Sequence, residues 1–288
     1  MDIIHTRNSQ ELARGIAKEL SIPSFTANVR CFGGGEICVS IPKHFRQAIV
    51  VAATISSEDW MELFLLLDAL RDTEKLILCA TYMGYSRQNI QNRNESFGAG
   101  LFPRLLERLG ISRLLVLENH CEPFAQIPLT HISAEKIFIA DIISKYDASK
   151  IVIVSPDIGG ARRAMVIAKG AGCNFAICSK TRDVFNELKK IDVLGDVFGK
   201  VCILVDDIID SGATMYHATN ALLQAGGKCV VAYGVHGILS GRAVTRLIES
   251  DLITITLTDS IWHIDALPER FRKLSIASLM ADTIRYIL

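Results

Sequence analysis

Short apolar runs rich in β-branched residues recur at residues 48–54, 76–80, 113–117, 151–155, 201–205, 229–233 and 254–257. Each is too short for a core helix and lacks the polar alternation of a half-exposed strand, so each predicts a strand buried on both faces. Between them, apolar positions at helical spacing predict helices over 60–70, 98–109, 161–171 and 215–225. Such alternation predicts an α/β fold with mainly parallel sheets flanked by helices. Residues 1–20 read as an amphipathic helix carrying charges throughout.

The pattern also repeats. AIVVAATISSEDWMELFLLLDALRDTEKLILCATYM at 48–83 and KVCILVDDIIDSGATMYHATNALLQAGGKCVVAYGVH at 200–236 both run strand, polar loop, helix, turn, strand. A duplicated domain follows, and only its second copy carries an acidic pair and a small-residue loop. The chain has 288 residues, half of them hydrophobic, enough for two cores. The division is expected near Asp141, giving domains 1–141 and 142–288, with a helix over 137–146 as the bridge. A C-terminal helix at 276–288 is free under this scheme to pack back on the first domain.

Lysine plus arginine balance aspartate plus glutamate at 31 each, so no long-range field draws in nucleic acid or an anionic membrane, and any anionic ligand must be held by local groups. The eight cysteines form no CxxC pair and sit mostly in apolar runs, as buried thiols in a reducing cytosol do. The first twenty residues contain no secretory apolar core, and no apolar run reaches the ~18 residues of a membrane span. A cytoplasmic protein is expected.

The sharpest chemical signal is VCILVDDIIDSGAT at 201–214. An apolar strand brings Asp206 and Asp207 to its C-terminal end, where open α/β sheets place their ligand crevice. Asp210, Ser211, Gly212, Ala213 and Thr214 then turn into a helix. Small residues let backbone N–H groups approach a phosphate, the helix offers its positive end, and two hydroxyls add donors. Carboxylates repel phosphate but accept hydrogen bonds from sugar hydroxyls, so acids followed by such a loop describe a sugar phosphate. The plain alternative is a strand-to-helix turn with exposed acids, which serves packing poorly. No GxxxxGK[ST] occurs, and Gly159 and Gly160 lack a GxGxxG frame, so neither a P-loop nor a dinucleotide domain is supported.

VDDIIDSGAT resembles the phosphoribosyl-diphosphate loop shared by ribose-phosphate diphosphokinases and type I phosphoribosyltransferases, and by itself does not separate the two. Six further segments do: FGGGEI at 32–37, YSRQN at 85–89, LENHC at 117–121, VSPDIGGARRA at 154–164, SKTRDVFNE at 179–187 and HGILSG at 236–241. In this order they resemble the diphosphokinase from Arg7 to about Tyr286. The resemblance implies two tandem phosphoribosyltransferase-like domains that join ATP to ribose 5-phosphate, with Mg²⁺. It implies that His120 and Asp157 help hold Mg²⁺, that Lys180 and Arg182 close a catalytic flap on the ATP phosphates, and that Arg87 and Gln88 bind the nucleotide. Phe32 and Glu36 would bind it from a neighbouring subunit, in a homodimer or a higher assembly. Without the resemblance, Lys180 and Arg182 read as a solvated surface and Phe32 as core, while a helix cap for Asp157 and a surface-loop histidine for His120 stand as alternatives to a functional role.

The chain also departs from that pattern. Gly34 stands where the family carries an acid, Asn89 to Arg93 replace a charged run, Glu118 and Asn119 replace Asp-Leu before the histidine, and Ala213 replaces glycine. These changes bear on nucleotide preference and turnover. They also leave open a nonenzymatic partner that regulates an active diphosphokinase, and a phosphoribosyltransferase remains a third reading.

Overall fold

The apolar runs become parallel strands. The computed structural model describes residues 1–121, 126–182, 188–261 and 267–288, and these form two units. The first takes the chain up to Ser133, together with Ser260, Ile261 and Ser275–Leu288; the second begins at Ala134.

The first unit contains β1 (Asp2–His5), α1 (Gln10–Leu20), β2 (Ser24–Thr26), β3 (Asn28–Cys31), β4 (Ile37–Ser40), β5 (Gln47–Thr54), α2 (Ser57–Ala69), β6 (Lys75–Met83), α3 (Gly98–Arg108), β7 (Arg113–Leu117) and β8 (Leu129–Ile132). Six strands pair in the order β2-β1-β5-β6-β7-β8, all parallel, while β3 and β4 form a separate antiparallel hairpin. Trp60, Leu63, Leu66 and Leu67 of α2 pack with Val50, Ala52, Leu78 and Ala80 in its core.

The second unit contains α4 (Glu135–Lys145), β9 (Ile151–Ser155), α5 (Ala161–Ala171), β10 (Asn174–Arg182), β11 (Leu188–Leu194), β12 (Val201–Ile209), α6 (Ala213–Gln224), β13 (Cys229–Gly237), α7 (Ala243–Glu249), β14 (Leu252–Thr258) and β15 (Phe271–Leu274). Its sheet runs β11-β10-β9-β12-β13-β14-β15, parallel except for β11 against β10. Without β11, this order matches the first sheet strand for strand, as a duplication requires. Asp141 of α4 accepts hydrogen bonds from Tyr233 Oη at 2.6 Å and Arg272 Nη1 at 2.9 Å, which ties the helix to β13 and β15. Burial pushes the Asp141 carboxyl up, and the hydrogen bonds from Arg272, Tyr233 and Lys145 outweigh it, holding the group below its usual range. The last helix, α8 (Ala277–Ile287), lies against α1 of the first unit, with Arg285 donating to the Glu19 carbonyl.

Two expectations change. Residues 2–5 are a strand, not the start of a helix, because Ile3 and Ile4 point to opposite faces of the sheet between β2 and β5, and both are fully buried. Four residues are too few to show a period. The central strands also outrun their apolar stretches: β12 continues to Ile209, since ladder hydrogen bonds to β13 persist through Asp206 and Ile208.

All eight cysteines are free thiols. Burial raises Cys79 to about 12 and, with Cys229 and Cys178 adding to it, Cys202 to about 12, so these two pack as apolar groups. Among the described residues no helix is long and apolar enough to cross a membrane.

Candidate active site

β12 loses its β9 neighbour after Leu204 but keeps β13 to Ile209. The strand therefore carries Asp206 and Asp207 past the end of β9, with one flank opened. Asp206 Oδ1 accepts the Asp207 N–H at 3.0 Å, and Asp207 Oδ1 accepts the Ile208 N–H at 3.1 Å. Burial, the adjacent Asp207 charge and a hydrogen bond shared with it push the Asp206 carboxyl well above the usual carboxylate range; Arg163 opposes this and Asp157 adds to it.

Asp210 and Ser211 follow, and Gly212 makes the turn into α6 with φ +72°, a left-handed conformation that side chains disfavour. A Cβ there would lie 3.0 Å from Leu247 Cγ. Ala213 is the first residue of α6, so its added methyl group costs no strained backbone, and Thr214 completes the turn. Arg246 of α7 donates to the Ser211 carbonyl and so supports the loop from behind. Gly212→Val is expected to destabilise the protein by about 2–4 kcal/mol through left-handed strain and the clash with Leu247. A thermal shift no larger than that of a surface substitution would exclude this account.

At the end of β9, Ser155 Oγ donates to the Asp157 carbonyl at 2.6 Å, and Asp157 Oδ1 accepts the Gly160 N–H at 3.1 Å. Asp157 thus braces the turn that leads into α5, whose N-cap residue, Gly160, has no side-chain cap of its own. Arg163, on the first turn of α5, reaches both acids of β12, 3.7 Å from Asp206 and 3.5 Å from Asp207. Sequence reasoning passed over it, although GGARR placed it one turn beyond Asp157.

The matching edge of the first unit holds the other polar segments. Arg87 and Gln88 are exposed in the loop after β6, where Gln88 Oε1 accepts from Ser96 Oγ at 3.0 Å and the Gln88 carbonyl accepts from the Ala99 N–H at 3.1 Å. His120 is exposed in the turn after β7. Glu118 turns the chain there with φ +38°, its carboxylate accepting from Ser133 Oγ at 2.7 Å. The Cys121 thiol donates to the Ser86 carbonyl at 3.3 Å, which fastens the His120 turn to the Arg87 loop. Tyr85 stacks on Phe102 with ring centroids 4.5 Å apart and bonds Ser57 at 2.7 Å.

Phe32 is not core. It stands 47% exposed at the tip of the β3–β4 hairpin, under the Arg30 guanidinium at 5.0 Å, with its N–H donating to the Glu36 carbonyl at 2.8 Å. Between this tip and α2 lies an open cleft of about 690 Å³, lined by Gly34, Gly35, Glu36 and Ile37 on one side and Ser57, Glu58, Met61 and Leu65 on the other. Lys180 and Arg182 lie on β10, which pairs with β9 only as far as Ile177 and beyond that with β11 alone. Their side chains, and residues 183–187 of the expected flap, lie outside the described residues.

In the first copy, β5 ends in Ala52, Ala53 and Thr54, without acids. The positive end of α2 is occupied from within: Asp59 Oδ2 accepts from the Ile55 N–H at 3.0 Å, the Ser56 N–H at 2.7 Å and Ser56 Oγ at 2.9 Å, closing a capping box. The corresponding helix in the second unit has no such box: its N-cap residue, Gly212, lacks a side-chain cap, and Ser211 Oγ meets the Ala213 N–H at 3.5 Å.

Two mainly parallel sheets that share a six-strand order, one ending its central strand in paired acids and a small-residue turn, define a tandem phosphoribosyltransferase-like protein. Residues 1–110 match the N-terminal domain of ribose phosphate pyrophosphokinase, and residues 128–269 a phosphoribosyl transferase domain. The chain is 36% identical to the ribose-phosphate pyrophosphokinase of Bradyrhizobium diazoefficiens, over 98% of this chain and 93% of that one. It is 35% identical to the enzyme of the same name from Agrobacterium fabrum, over 99% and 96%. The crystal structure of phosphoribosylpyrophosphate synthetase from Mycobacterium smegmatis matches with a TM-score of 0.89 at 30% identity, covering 100% of this chain and 99% of that one. The chain belongs to the ribose-phosphate pyrophosphokinase family, a family of transferases.

Proposed function

We propose that this chain transfers the diphosphoryl group of Mg–ATP to the 1-hydroxyl of ribose 5-phosphate, yielding phosphoribosyl diphosphate and AMP. The observation that carries the reading is the pair Asp206 and Asp207 on the overrunning end of β12, followed by the turn Asp210–Thr214 into the positive end of α6. The turn grips the 5-phosphate through backbone N–H groups and the Ser211 and Thr214 hydroxyls. Asp206 and Asp207 accept hydrogen bonds from the ribose hydroxyls. The sugar's 1-oxygen then bonds to the β-phosphorus as the bond from that phosphorus to the α,β-bridging oxygen breaks, and AMP leaves with that oxygen. Positioning and charge neutralisation dominate such transfers, so a strong base is not required.

Arg87 and Gln88 hold the nucleotide, and Phe32 and Glu36 reach it from a neighbouring copy in a homodimer or a higher closed assembly. Two domains carry this chemistry in the cytoplasm. Were Mg²⁺ bound with the triphosphate, the Asp157 carboxylate would suit it as a hard oxygen ligand, with His120 acting through water or on phosphate, and the ion would supply neutralising charge. Lys180 and Arg182 supply the remaining positive charge on the transferred group.

Ala213, the departure nearest the proposed 5-phosphate, sits within helical backbone, and Asn92 donates to Glu95 at 2.7 Å within its own loop. Purified protein mixed with ATP, Mg²⁺ and ribose 5-phosphate is expected to release AMP and to require all three. Protein that releases none alone, yet alters the rate of an active relative, would instead be a regulatory partner.

A further inference from the structure

Arg163 takes no part in the chemistry assigned above. Its two terminal nitrogens are divided between the acids: Nη1 lies 3.7 Å from Asp206 Oδ1 and Nη2 lies 3.5 Å from Asp207 Oδ2. All three side chains are largely enclosed, at 18% exposure for the guanidinium and 14% for each carboxylate. Successive strand residues ordinarily face opposite sides of a sheet. Here one planar fork reaches both carboxylates, and backbone N–H groups at 3.0 and 3.1 Å fix an oxygen of each. The result is two like charges held to one span. Gly160, at the head of α5, lies beside the guanidinium: a Cβ there would be 3.7 Å from Arg163 Nη1 and 2.7 Å from Ser155 Oγ.

We propose that Arg163 is a positioning residue: it holds the Asp206 and Asp207 carboxylates at the separation of a cis-diol and thereby sets the preference for a pentose phosphate that carries its 2-hydroxyl. The inference rests on the reading of those two acids as hydroxyl acceptors. A guanidinium can do this because it is a rigid fork with several donors in one plane, whereas an ammonium is a single point charge that cannot span both partners. A diol offers two donors at a fixed separation, and only acceptors held to that separation reward both. A sugar lacking the 2-hydroxyl leaves one buried acceptor unpaired, which is the strongest form of discrimination open to such a site.

The test uses the full chain with Mg–ATP, varying ribose 5-phosphate and 2-deoxyribose 5-phosphate and measuring AMP release. Arg163→Met is expected to raise KM for ribose 5-phosphate at least ~10-fold and to cut the kcat/KM ratio between the two sugars by a similar factor, with KM for ATP within ~2-fold. Arg163→Lys keeps the charge without the fork; it is expected to unfold at the wild-type temperature and to lose discrimination as Arg163→Met does. It also preserves the test should Arg163→Met not fold. Unchanged discrimination in the variants, or full recovery with lysine, overturns the inference while leaving the assigned activity in place. Wild-type protein that releases no AMP overturns that activity and the inference with it.

Discussion

Lys180→Ala is expected to slow AMP release at least ~10³-fold while KM for ribose 5-phosphate stays within a few-fold, the scale set by loss of a cation that acts on transferring phosphoryl groups. The split follows from where the parts lie in the second unit. The sugar phosphate is assigned to β12 and the turn into α6, whereas Lys180 is on the part of β10 that has left β9 and pairs only with β11. On the proposed reading a cation on that ribbon meets charge developing on the β-phosphorus, not the sugar already seated. Single-turnover measurement of AMP separates the chemical step from release. A variant that keeps most of its rate would remove the β10–β11 ribbon from the chemistry.

Asp206→Asn should move function and stability in opposite directions. A hydrogen bond to a charged acceptor contributes about 1.5–3 kcal/mol, so its loss is expected to raise KM for ribose 5-phosphate by roughly 10- to 150-fold. The same change removes a buried charge set against Asp207, and the protein is expected to melt higher. Because the Asp206 carboxyl lies above its usual range in the folded chain, the folded state holds this proton to higher pH than the unfolded state does. The wild type therefore loses stability as pH rises from the ordinary carboxylate range, about 4, towards the raised folded value. Below that range both states are protonated and the penalty is absent. The melting-temperature gain of Asp206→Asn, measured in metal-free buffer, should thus be smallest in acid and grow towards neutrality. A gain independent of pH, or a loss, would show that Asp206 carries no such penalty.

Much of this architecture could be read from the residues because buried parallel strands announce themselves as uninterrupted apolar runs. The 48–83 and 200–236 echo showed the duplication, and the two sheets repeat each other's strand order. The acids and their turn were legible because polar residues abruptly end an apolar stretch at 205. What escaped had no local signature. β1 is four residues long and owes its burial to partners far along the chain. β3 and β4 have half-exposed patterns set by pairing with each other, which moved Phe32 from an expected core position to an exposed hairpin tip. Arg163 shows its relation to Asp206 and Asp207 only after β9 and β12 lie side by side.

The capping box of α2 bears on what a second copy of a fold is for. By turning its own Asp59 inward upon the backbone groups of residues 55 and 56, the N-terminal half gives up the helix end on which the proposed reading seats a sugar's phosphate in its sister. On that reading, doubling the architecture does not double the number of pentoses a chain carries and leaves one sheet edge to the other reactant.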